Sequence, residues 1–133
     1  MNLSLSAAND STYGNVLGYA NGNVSSGSSQ VLHLTANSTV AFYNTDSIPH
    51  TASFLGSASA GGATYPPTFA SANSMGMSSS PAGTAIDAAN FSTGTVMPHS
   101  TSAVYATGGP GFSILGCAFH YDSNHMRTIS IVQ

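Results

Sequence analysis

Cys117, the chain's one cysteine, is followed three residues on by His120 and then by His125 and Met126, while Pro49-His50 lies far upstream. A thiolate, a nearby imidazole, a thioether and a second imidazole from a distant stretch form the ligand set of a mononuclear copper centre that exchanges electrons. Copper that alternates between two oxidation states needs ligands acceptable to both. Soft sulfur suits the reduced ion, imidazole suits either, and two His and one Cys in a plane with a weak axial sulfur change little on electron transfer. Cys117 and His120 fit one tight loop that aims both side chains the same way, and Met126 follows just before a run that reads as strand from Arg127. His50 has to arrive from a neighbouring strand, and Asn44-Thr45-Asp46-Ser47 supplies the turn residues to bring it there.

The elements around these residues read as β structure. Short alternating runs recur between turn residues, with almost no helical periodicity. Strands are predicted over 31–35, 39–44, 50–55, 102–106, 111–115 and 127–132, with two more before residue 20 at Leu3/Leu5 and Tyr13 to Tyr19. Asn37-Ser38 turns the first of these runs into the second as a hairpin or a strand-to-strand corner. Residues 1–133 have the length of a single domain. Within it, residues 56–98 dissolve into Ala, Ser, Gly, Pro and Met and read as a long inserted loop, with room for a short helix around Thr84 to Ala89.

The two ligand-bearing runs together resemble the cupredoxins, the blue copper proteins of the plastocyanin and azurin type. Asn44-Thr45-Asp46-Ser47-Ile48-Pro49-His50 matches the Asn-x-Asp-x-x-Pro-His run of the plastocyanin type, and Cys117, His120 and Met126 match its Cys-x-x-His followed by Met. The resemblance covers about residues 31–55 and 101–133. It implies an all-β, Greek-key β-sandwich or barrel with the metal near one end. It further implies one copper ion (Cu2+/Cu+) held by His50, Cys117, His120 and Met126, with electrons leaving through His120.

The chain departs from that pattern in three places. Plastocyanin-type loops usually put Met five residues after the ligand His, a position held here by His125, so His125 stands as the alternative axial ligand to Met126. A nitrogen donor there would stabilise the oxidised ion and lower the potential. The family often has Asn after the first His, tying the two ligand loops together; Thr51 predicts fewer such bonds. The long stretch between His50 and Cys117 is similar, in bulk and low charge, to the enlarged cupredoxins of acidophiles such as rusticyanin and sulfocyanin.

Charged residues make up only 4% of the chain: Asp10, Asp46, Asp87, Asp122 and Arg127, with neither Lys nor Glu. A net charge of -3 with a single Arg cannot supply the cationic footprint that nucleic acid or an anionic membrane surface requires. No apolar run approaches the ~20 residues of a membrane span, and the first residues lack the basic and apolar regions of a signal peptide. So few ionisable groups remove much of the usual drive for acid unfolding, which fits work in an acidic medium. The expected protein is an exported monomer, periplasmic or at the cell surface. Its expected partners are a cytochrome or terminal oxidase, docking through an apolar patch near His120.

Rival readings attach to the same residues. Met75, Met77 and Met97 could handle Cu(I) in a copper chaperone or storage module, or the Cys and His could be incidental to a metal-free cell-surface β-sandwich. His33 reads as solvent-facing, and neither it nor His99 is expected to bind the metal. Scattered carboxylates and no nucleophile-base arrangement point to an electron carrier and away from an enzyme.

Overall fold

The chain was analysed as a computed structural model, which describes residues 31–57, 77–121 and 126–133 together with three short strands before them. Those three are β1 (Asn2–Leu3), β2 (Ala8–Asp10) and β3 (Gly14–Val16). Then come β4 (Val31–Leu34), β5 (Thr39–Val40), β6 (Tyr43–Asn44), β7 (Ser53–Ser57), β8 (Pro81–Ala82), β9 (Ser92–Thr93), β10 (Tyr105–Ala106), β11 (Gly111–Gly116) and β12 (Arg127–Val132). The class is all-β with mixed sheets, consistent with the expected cupredoxin-like Greek-key sandwich.

Six strands form the largest sheet, in the order β4-β12-β11-β7-β9-β8, with β4 parallel to β12 and every other pairing antiparallel. β5 pairs with β10, and β6 pairs with β1 and is bridged to Thr101. The run from β4 into β5 is therefore a corner that changes sheets, and Asn37 makes it possible by adopting a φ of 52°. A short polar side chain tolerates that left-handed conformation better than most. Val40, Phe42 and Tyr105 from one set of strands meet Ala52, Phe91, Leu115 and Val132 from the other in a single core. Cys117 and Met126 sit in that same core.

β12 reads as an alternating strand, yet Arg127, Thr128 and Ser130 are all buried. β4 and β11 flank it on both edges, which places it inside the sheet. The outer face is covered near the site as well. A register shift between Ile114 and Leu115 leaves Leu55 as the extra residue opposite β11, a β-bulge. Leu55, Met77 and Tyr121 crowd the position where Gly116 would carry a side chain.

Part of the stretch expected as loop is ordered sheet. β8 and β9 complete the sheet edge, and Val96 bridges to His50. Residues 84–90 hold turns and one bridge in place of the expected helix. Ala-Gly-Ser composition hid strands of two residues each, too short to show a period. Residues 58–76, including Met75, lie outside the described residues.

Gly94 closes the turn after β9 at a φ of 67°, where a Cβ would meet two ring carbons of Pro81 at 2.5 Å. Left-handed backbone and a rigid neighbour both oppose any side chain there. Gly94→Ala should lower the unfolding free energy by about 3 kcal/mol, combining conformational strain with overpacking. The check is a fall in the urea midpoint at unchanged slope.

Candidate metal centre

The loop before His50 is built around one amide. Asn44 is buried, donating its Nδ2 to the carbonyls of Ile48 at 2.8 Å and Val96 at 3.0 Å, while its Oδ1 accepts the Asp46 N–H at 2.9 Å. Every strong group of that side chain is used, and the chain is forced into an Asx turn that ends at Pro49-His50. The backbone of His50 is then clamped to Val96, with N–H to O distances of 3.1 and 2.8 Å in the two directions.

The second loop leaves β11 at Cys117 and returns to β12 at Met126. One tight turn, in which His120 and Tyr121 donate their N–H groups to the Cys117 carbonyl at 3.3 and 2.9 Å, brings the His120 ring back over the cysteine. The ends are pinned by Cys117 N–H to the Met126 carbonyl at 3.1 Å and by Met126 N–H to the His120 carbonyl at 3.2 Å. Met126 is fully buried and packs in the same core cluster as Cys117. His125 lies outside the described residues.

Three of the four expected ligands converge. The Cys117 Sγ lies 3.7 Å from His50 Nδ1 and 3.6 Å from His120 Nδ1, and the three donor atoms all fall within 4.8 Å of one another. Two ligand atoms bonded to one ion at about 2.0 and 2.3 Å, with a trigonal angle, stand about 3.7 Å apart. Both sulfur-to-nitrogen separations match that spacing, and one soft thiolate with two imidazoles suits copper. His33 and His99 are exposed and take no part, as expected.

Thr51 does more than the sequence reading allowed. Its N–H donates to the Cys117 sulfur at 3.3 Å, and its hydroxyl accepts the Ala118 N–H at 2.8 Å, so this one residue ties the two ligand loops together. Asp46 was quoted only as part of a motif. Its carboxylate sits 3.3 Å from His50 Nε2, fixing the tautomer that leaves Nδ1 free for the metal. The spacing of four residues between Asp46 and His50 was the available signal.

No family model matches this chain, and no curated protein is detectably similar to it. Solved structures of amicyanin variants do align. The oxidised state of a proline-to-alanine variant shares 14% identity over 78% of this chain and 70% of its own, with a TM-score of 0.47. The Cu(I) form of a methionine-to-alanine variant gives 16% and 0.45, and a reduced tryptophan-to-tyrosine variant gives 16% and 0.46, over the same shares. At that level the likeness adds nothing to the choice of metal or its use.

Protonation favours a site that is ready on the nitrogen side and closed on the sulfur side. Burial pulls His50 from 6.5 down to about 4, against the opposing bond to Asp46, and burial lowers His120 as well. Both imidazoles are neutral near pH 7. Burial raises the Cys117 thiol above its ordinary value, against bonds from Thr51 and from the Phe119 and His120 backbone, so binding a metal expels a proton.

Two measurements follow. Between pH 6.5 and 4 the unfolded chain takes up a proton that folded His50 refuses, so its contribution is complete above 6.5 and lost as the pH falls towards 4. That amounts to about 3 kcal/mol at ~1.36 kcal/mol per unit. The metal-free protein is therefore more acid-sensitive than its sparse charge implies, and its urea midpoint should drop across this window. Separately, Asp46→Asn should weaken metal binding by roughly 10- to 100-fold in a competition titration, the usual effect of losing such a partner.

Proposed function

We propose that the chain is an electron carrier that holds one copper ion through His50, Cys117 and His120, with Met126 as the axial donor. One observation carries this reading: two imidazole Nδ1 atoms, 3.6 and 3.7 Å from a single buried sulfur, spaced as ligands of one ion. When bound, copper supplies a one-electron couple, and everything else is the protein's work. Asn44 and Asp46 hold His50, the pinned loop holds Cys117 and His120, and Thr51 fixes one loop against the other. A donor set held from both loops by hydrogen bonds would keep its geometry while the ion's charge changes.

His120 is only half-buried, and Phe119 beside it is 42% exposed, with ring centroids 6.4 Å apart. Ile48, on the other ligand loop, is 40% exposed. Together they support docking of a redox partner, a cytochrome or oxidase, by apolar contact, with little dependence on ionic strength. Export follows from the composition as part of the same proposal. Among the described residues, no helix is long and apolar enough to cross a membrane. The storage alternative gains nothing from the described methionines: Met77 is buried as packing over Gly116, and Met97 stands exposed beside a surface groove.

The test is titration of reduced apoprotein with Cu(II). One equivalent should bind and give an intense sulfur-to-copper band in the visible, which Cys117→Ser abolishes. Met126→Leu should raise the potential, whereas His125→Ala should leave it in place; the reverse pattern would make His125 the axial donor. Several copper ions per chain without colour would support storage, and no binding at all would support a metal-free module.

A further inference from the structure

Three buried hydroxyls run outward from the sulfur in a line. Thr51 Oγ1 is 3.0 Å from Ser53 Oγ, and Ser53 Oγ is 2.9 Å from Ser92 Oγ, all three residues being fully buried. The line ends at the backbone just after β9 and in the segment before β8. The Gly94 N–H donates to Ser92 Oγ at 3.0 Å, and the Ser78 carbonyl lies 2.6 Å from Ser92 Oγ and 2.9 Å from Ser53 Oγ.

Each hydroxyl has one proton to give, and the contacts set where each goes. Ser92 makes the shorter approach to the Ser78 carbonyl and donates there, and Ser53 Oγ is placed to donate to Thr51 Oγ1 at 3.0 Å. That oxygen already accepts the Ala118 N–H at 2.8 Å, so both of its lone pairs are then occupied. The Thr51 proton must leave in another direction, and the Cys117 sulfur, already bonded by the Thr51 N–H at 3.3 Å, is the acceptor beside it. A buried hydroxyl without a partner is costly, so the arrangement is held by its own satisfaction.

We propose that Ser53 and Ser92 are positioning residues for electron transfer: their relay fixes the Thr51 hydroxyl proton on the Cys117 sulfur and so sets the reduction potential of the copper bound there. The proposal rests on the copper reading above. A second hydrogen bond to the sulfur withdraws electron density from it, weakens its donation to the metal and favours the reduced ion. Without Ser53, Thr51 loses the donor that directs its proton. Without Ser92, the Ser53 proton turns to the Ser78 carbonyl, 2.9 Å away, and Thr51 again loses its donor.

The experiment compares copper-loaded wild type with Thr51→Val, Ser53→Ala, Ser92→Ala and the Thr51→Val/Ser53→Ala double variant, reading the reduction potential and the copper–sulfur stretching frequency. Each single variant should lower the potential and raise the frequency, most for Thr51→Val and least for Ser92→Ala. In the double variant Ser53→Ala should add nothing, because its effect passes through Thr51. Unchanged values in both serine variants, or full additivity in the double, would overturn the relay. If Ser53→Ala does not fold, Ser92→Ala decides alone. In the metal-free protein the Thr51 and Ser53 hydroxyl protons should give slowly exchanging magnetic resonance signals, with the Thr51 signal displaced in Ser92→Ala. Those signals without a coloured copper form in the wild type would sink the copper reading and leave the relay standing; a coloured form without them would do the opposite.

Discussion

The structure turns on the contact of Thr51 with Cys117 and Ala118. His50 and Cys117 belong to loops far apart in sequence, and Thr51, the residue directly after His50, is bonded to both the sulfur and the backbone beyond it. Bringing these three donor atoms together means enclosing two neutral imidazoles and a thiol in largely apolar surroundings. That is tolerable only if the loops cannot drift apart. The Val96 clamp on His50 and the two bonds that close the loop from Cys117 to Met126 serve the same end from either side.

Around that contact the protein spends its few charges sparingly. Asp46 is the one described carboxylate at the cluster, and it orients an imidazole; the one Arg is buried in β12. Among the described residues, everything else near the metal position is done with amide, hydroxyl and backbone groups, whose dipoles are fixed by hydrogen bonds and do not change with pH. The buried histidines are the exception, and they make metal-free and metal-loaded protein respond differently to acid.

Much of this was legible in the sequence. Cys117 and His120 declare themselves by spacing, and β4, β11 and β12 by alternation between turns, while the run read as strand over 50–55 is strand only from Ser53, in β7 (Ser53–Ser57). Their neighbours were harder. β8 and β9 are two residues each, and their membership of the sheet comes from the Ser53–Ser92 and Pro81–Thr93 pairings, which no local pattern encodes. Thr51 was read as a weaker substitute for Asn, because only its side-chain bonding capacity was counted. Its backbone N–H, pointed at the sulfur by the His50–Val96 bridge, is a property of the fold. Ser53 and Ser92 drew no notice in a chain so rich in serine, for composition cannot distinguish a buried hydroxyl from a solvated one.

Solvent access to the cluster is one-sided. His50 and Cys117 are fully enclosed, and among the described donor atoms only the His120 ring meets the surface. Among the described residues, an incoming ion and the proton it displaces from the thiol therefore share one doorway. On the electron-carrier reading proposed above, metallation would be a sequential event at the rim, slow wherever that rim is covered, and a docked redox partner would shield the loaded ion from being stripped by competing chelators.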